Sequence, residues 1–145
     1  MATYGVDSFH INVFLGDSAI HLRVQLTSKN GTRYAKRRIL NAVLIDGGHN
    51  RKLGLERLQL TLETIKTKYV NAAGNPFTFL QFDSVVITHW DQDHYQGLLS
   101  LLDANYNDPA KIDNSGNVLS HKCDYFKYDQ TGNGAPQTTL YVPYW

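Results

Sequence analysis

Residues 88–97 read Thr88-His89-Trp90-Asp91-Gln92-Asp93-His94-Tyr95-Gln96-Gly97, and the apolar run from Phe82 to Thr88 leads straight into them. Such a run predicts a strand covered on both faces. Four potential metal ligands, His89, Asp91, Asp93 and His94, fall within six residues at its end. Burying unpaired charge is costly, and a divalent cation is a common way to offset that cost. The spacing is His-x-Asp-x-Asp-His. In a tight loop, alternate residues point to one side, so His89, Asp91 and Asp93 converge, while His94 faces a second position. That pattern suits two adjacent cations better than one. Imidazole nitrogen and carboxylate oxygen suit zinc, manganese or iron, and the motif holds no thiolate for a structural cysteine site. Trp90 and Gln92 point away and pack or orient the loop. The plainer alternative is a strand end followed by a helix start, with Asp93 as an N-cap, His94 in the first turn and Asp91 merely solvated.

Working towards the N-terminus, Leu55, Leu58, Leu62, Ile65 and Tyr69 recur at steps of three and four, which predicts an amphipathic helix over roughly 53–70. Ile39 to Ile45 is a strand, ended by Asp46-Gly47-Gly48. Phe9 to Phe14 is apolar and β-rich, Gly16-Asp17-Ser18 is a turn, and Ile20, Leu22, Val24 and Leu26 alternate with polar residues, so 9–27 reads as a hairpin. Towards the C-terminus, Tyr95 to Leu102 starts a second helix. Gly74-Asn75-Pro76 breaks the chain between helix and strand. After Asp103 the pattern weakens, with strands near 118–127 and 138–144. The first hundred residues thus read β-β-β-α-β-α, and 1–145 is a single α/β domain. The ending Leu-Tyr-Val-Pro-Tyr-Trp looks like a strand cut short, so the fold is expected to be incomplete at its C-terminus.

The chain has 145 residues, 42% hydrophobic and 19% charged, enough for one modest domain with a real core. A formal charge of +1 exerts no global pull on nucleic acid or an acidic membrane. The one cysteine, Cys123, excludes an internal disulfide framework. No secretory signal and no 18-residue apolar span is visible, so a cytoplasmic protein without a membrane segment is expected. No P-loop, Gly-x-Gly-x-x-Gly or Gly-x-Ser-x-Gly sequence is present, which leaves metal-assisted hydrolysis as the reaction class with support.

The segment Thr88 to Gly97 resembles the His-x-His-x-Asp-His signature of the metallo-β-lactamase superfamily. Leu15-Gly16-Asp17-Ser18-Ala19 resembles the Gly-Asp-Ala/Ser turn of that fold's first hairpin, and Leu44-Ile45-Asp46-Gly47-Gly48 its Leu-Ile-Asp-x-Gly strand end beneath the metal centre. Order and separation agree across about residues 9–102. Asp91 stands where the family has its second histidine. That variant resembles the subgroup that includes the nuclease-like domain of the competence-type DNA channel protein.

The resemblance implies a metallo-β-lactamase-like αββα sandwich, here its N-terminal half, a mixed sheet with helices packed on it. It implies that His89 and Asp91 serve one metal and Asp93 and His94 the other. Asp93 would also orient the attacking hydroxide and shuttle its proton. Asp46 would hold a ligand histidine in the right tautomer, although Asp-Gly-Gly after a strand is also an ordinary turn. The metal is expected to be zinc, with manganese or iron as alternatives, and two ions at a complete site. His121 is the only histidine after the motif and a candidate further ligand, and His49 is read as a surface residue.

Arg33, Lys36, Arg37 and Arg38 place four cations in six residues, with Tyr34 among them. They are candidate contacts to the phosphates of a nucleic acid or nucleotide, or simply a solubilising loop. Asp91 tips the expected substrate towards a phosphodiester. A small-molecule ester, lactone or β-lactam remains open, as does a non-catalytic scaffold with an incomplete site. Half a sandwich would leave an apolar sheet face uncovered, so a homo-oligomer is expected.

Overall fold

A computed structural model describes residues 3–26, 37–106, 125–127 and 134–144, with the side chains of Ser100 and 102–106 left out. Its strands are β1 (Thr3–His10), β2 (Ala19–Leu26), β3 (Arg37–Ile45), β4 (Tyr69–Val70), β5 (Ser84–Val86) and β6 (Thr139–Tyr141), with helices α1 (Lys52–Lys68) and α2 (Gln92–Tyr106). The six strands form one mixed sheet in the order β1-β2-β3-β5-β6, with β4 also paired to β3. The chain is therefore α/β. β1, β2 and β3 pair antiparallel, whereas β3, β5 and β6 run parallel. Because β2 takes one side of β3 along its length, β4 and β5 share the other, β4 beside Arg37 and Arg38 and β5 beside Val43 to Ile45.

Helix α1 buries Leu58, Leu62 and Ile65, the stripe its spacing predicts. These meet Leu98 and Leu101 of α2 and the inward residues of the sheet: Ile20, Leu22, Val24, Ala42, Leu44 and Val85. Each fully buried aliphatic side chain contributes roughly 1.5–3 kcal/mol. On the other sheet face, Tyr4, Val6 and Tyr141 are exposed.

A bulge in β3 sets which side chains reach the core. Arg23 pairs with Asn41, but Val24 pairs with Ile39, so Leu40 is an extra residue. An unbroken strand that buries Ile39 would turn Asn41 and Val43 inward. With the bulge, Ala42 and Leu44 are buried instead, and the next residue in that series is Asp46.

Some boundaries differ from the sequence expectation. The first strand is Thr3–His10 rather than Phe9 to Phe14. As an edge strand exposing Tyr4, Val6, Ser8 and His10, it carries little apolar alternation. Ile11 and Val13 are buried from the loop that follows, and Phe14 adopts a positive φ of 68° that a regular strand excludes. Helix α2 starts at Gln92, so Asp93 and His94 lie in its first turn rather than in an extended loop. Tyr69, read as helical, begins β4. Phe82 makes an isolated bridge with Phe126 ahead of β5, and β6 falls within the expected 138–144 strand. The segment 118–124 lies outside the described residues.

Candidate functional site

Asp46 follows β3 and His89 follows β5, so both sit beyond the carboxyl ends of adjacent parallel strands. Ligands of open α/β sheets commonly bind there. Asp46 has a positive φ of 51° and is only 2% exposed. A buried carboxylate must be satisfied, and this one accepts three hydrogen bonds. Thr88 donates its backbone N–H to Oδ1 at 2.8 Å and its hydroxyl to Oδ2 at 2.6 Å, and His94 Nδ1 lies 3.0 Å from Oδ2.

This arrangement fixes two tautomers. A carboxylate only accepts, so the His94 proton on this side sits on Nδ1. The Thr88 hydroxyl has spent its proton on Asp46, so His89 Nδ1, 3.0 Å from that oxygen, must donate to it. Both imidazoles are held through Nδ1, which frees each Nε2 lone pair for a cation or a proton. The two ring centroids are 5.1 Å apart. The hydrogen bond to Asp46 holds the His94 imidazole above the usual histidine range; burial opposes the rise, and the charges of Asp46, Asp93 and Asp17 add to it.

Helix α2 is seated by backbone contact. Gly47 N–H donates to His94 O at 2.6 Å, and Gly97 N–H to Gly48 O at 2.7 Å. A Cβ on Gly97 would overlap the Gly47 carbonyl, so Asp-Gly-Gly is a docking surface for α2 as well as a turn. Gly16, at φ 75°, presses on the backbone of Asp93 in the same way, and any side chain there would overlap it.

The carboxylates are less convergent than the imidazoles. Asp91 is exposed before α2, and Asp93 Oδ1 lies 3.9 Å from His94 Nε2. Among the described residues, no three His, Cys, Asp or Glu side chains gather closely enough to hold a metal ion. Trp90 stands off the cluster, its indole N–H 3.4 Å from Pro143 O and its ring edge-on to Tyr95. His49 is half-buried rather than on the surface, and its Nδ1 is shut off from solvent without a hydrogen-bond partner among the described residues.

The basic residues are not brought to this cluster. Arg37 and Arg38 open β3 while Asp46 follows its end, roughly 30 Å away at the rise of a strand. Arg37 is also engaged, its guanidinium 2.5 and 2.6 Å from the two oxygens of Asp7. Arg33, Tyr34, Lys36, His121 and Cys123 lie outside the described residues.

The chain matches no family model, no curated protein and no solved structure. The resemblance to the metallo-β-lactamase superfamily therefore rests on its three motifs. No helix among the described residues is long and apolar enough to cross a membrane.

Thr88 is the residue whose role the sequence reading missed. Its signal was present, a hydroxyl directly after the apolar strand and one residue before the first histidine. What was not legible is that both its N–H and its O–H turn back to Asp46, forty-two residues earlier.

Proposed function

We propose that the chain is a metal-dependent hydrolase acting on phosphodiesters, built as the N-terminal half of a metallo-β-lactamase-like αββα sandwich. The observation that carries this reading is the Asp46–Thr88 network, which commits Nδ1 of His89 and His94 and leaves both Nε2 atoms available. Histidine ligands typically donate the second ring N–H to a carboxylate or a similar acceptor, and this fixes the tautomer that binds a metal.

The donor set fits a divalent ion in chemistry, two imidazoles with the carboxylate of Asp93 near His94 and that of Asp91 on the intervening loop. The chemistry such ions supply when bound is a water acidified near neutral pH and a polarised phosphoryl oxygen. His89 and His94 would bind through Nε2, with Asp91 joining His89 on one ion and Asp93 joining His94 on the other. Asp93 orients the attacking water and takes its proton on a carboxylate oxygen. Asp46 and Thr88 keep the rings from turning.

Elemental analysis after dialysis against zinc or manganese should find close to two ions per chain. Hydrolysis of bis(4-nitrophenyl) phosphate should fall at least about a hundredfold in Asp93→Ala. A variant that cleaves as fast as the parent would refute the role of Asp93.

A second reading is a non-catalytic module that keeps the fold. The observation favouring it is that no three donors gather among the described residues. It requires one weakly held ion or none per chain in the same analysis.

A further inference from the structure

A cavity of about 400 Å³ opens beneath the loop joining β1 and β2. That volume lies in the range of small-molecule sites, roughly 300–1,000 Å³. Ile45 lines the cavity and is followed by Asp46, and Gly16 lines it and abuts the backbone of Asp93.

Three features of the lining go beyond what the fold requires. First, Phe14 is 51% exposed and carries a left-handed backbone, φ 68°, a costly conformation for a bulky residue. Asn12 holds it there by accepting the Phe14 N–H at 3.1 Å. Second, the Arg57 guanidinium lies 4.4 Å over the Phe14 ring centroid, so one π-face is already occupied and one remains to be offered. Third, Ser18 is only 5% exposed, yet its hydroxyl has no hydrogen-bond partner among the described residues. A buried unpaired hydroxyl costs stability, and functional sites are where such costs are retained.

We propose that this cavity is a base-binding subsite, in which the planar ring of a nucleotide stacks on Phe14 and its polar edge meets Ser18. The Asn12 side chain, whose oxygen serves Phe14, presents its NH2 as a further donor. Aromatic stacking accepts any base, while the hydroxyl and amide read the ring edge. The nucleotide class rests on the phosphodiester reading above. The cavity supplies what the histidine cluster lacks, a hold on the part of the substrate that does not react.

The test is titration of the metal-free full chain, kept in EDTA, with adenosine 5′-monophosphate, read by backbone amide shifts. The expected result is perturbation of residues 12–18, with affinity at least about fivefold weaker in Phe14→Gly. Glycine accepts the left-handed backbone, so this variant should fold. Ser18→Ala should also bind more weakly while its melting temperature holds or rises, since it removes an unpaired buried hydroxyl. Unchanged affinity in both variants, or the same shifts from inorganic phosphate alone, would overturn the subsite. Hydrolysis of bis(4-nitrophenyl) phosphate is measured separately. A chain that hydrolyses this ester but ignores the nucleotide loses the subsite and keeps the hydrolase. One that binds the nucleotide through Phe14 and hydrolyses nothing keeps the subsite and loses the hydrolase.

Discussion

Asp46 meets three donors from two directions, so a change of one oxygen to nitrogen has a readable consequence. In Asp46→Asn, one amide corner becomes a donor. If it faces His94, the imidazole must accept on Nδ1 and carry its proton on Nε2; if it faces Thr88 N–H, two donors oppose each other. Either outcome costs about 1–3 kcal/mol in stability. The expected signature is a His94 tautomer switch in imidazole 15N shifts, with metal affinity about 10–100-fold lower. Unaltered shifts and affinity would show that Asp46 does not set the tautomer. The pairing of Asp46 with a histidine was legible as an implication of motif resemblance. The choice of His94 was not, because it depends on where α2 begins. The plainer reading of a strand end followed by a helix start placed His94 in a first helical turn, as found, but made Asp93 the N-cap, whereas Asp93 lies within that turn. Asp93 is well placed there for another reason, since a carboxylate near a helix N-terminus is stabilised by the partial positive charge.

At the scale of elements, β1 is tied to the rest of the sheet by an ion pair remote from the cluster. Asp7 accepts from Arg37 and, at 2.7 Å, from the Tyr69 hydroxyl. Burial pushes the Asp7 carboxyl up, but the hydrogen bonds from Arg37 and Tyr69 and the charge of Arg37 outweigh it and leave it below the usual range. Tyr69 is pushed up to about 12, by burial first and then by Asp7. A lowered folded pKa gives stability that is present above the unfolded value of 3.8 and is lost as pH falls through the folded one. A raised one gives stability that is present below the unfolded value of 10.0 and is lost as pH climbs towards 12. The melting temperature of the parent should therefore drop more steeply between about pH 4 and 2 than that of Asp7→Asn, and parallel slopes would refute the linkage. The bulge at Leu40 belongs to the same scale. Deleting Leu40 would set Ile39 and Asn41 side by side opposite Val24 and Arg23 and keep Ala42, Leu44 and Asp46 inward, so cooperative unfolding should survive in thermal melts, and its loss would show that the bulge itself is required. The helices and central strands were legible because burial imposes the period of three to four on α1 and a continuous apolar run before the cluster. The bulge and the two-residue β4 leave no periodic trace, since a single extra residue or a short parallel pairing is decided by distant partners.

The whole molecule has helices on one face of its sheet and, among the described residues, exposed Tyr4, Val6 and Tyr141 on the other. The pairing Ser8–His21 and the ring contact between His10 and His21 lie on that same open face, so it is mixed rather than uniformly apolar. Central strands contribute Val43, Ile45 and Val86, which are only half-buried although they stand in the middle of the sheet. A contiguous apolar strip of this kind is seldom left uncovered in a monomer. Burying it against a second copy removes apolar surface from water at about 25 cal/mol per Å², and self-association is the expected result. Light scattering at rising concentration should give a mass above that of one chain, and Val43→Lys should lower it, because a charge at the centre of the covered face would have to be desolvated. The same substitution lies across the sheet from Asp46 and should leave zinc stoichiometry unchanged. A parent that stays monomeric at high concentration would show that the face is tolerated in water, and the oligomer expectation would fall without touching the histidine cluster.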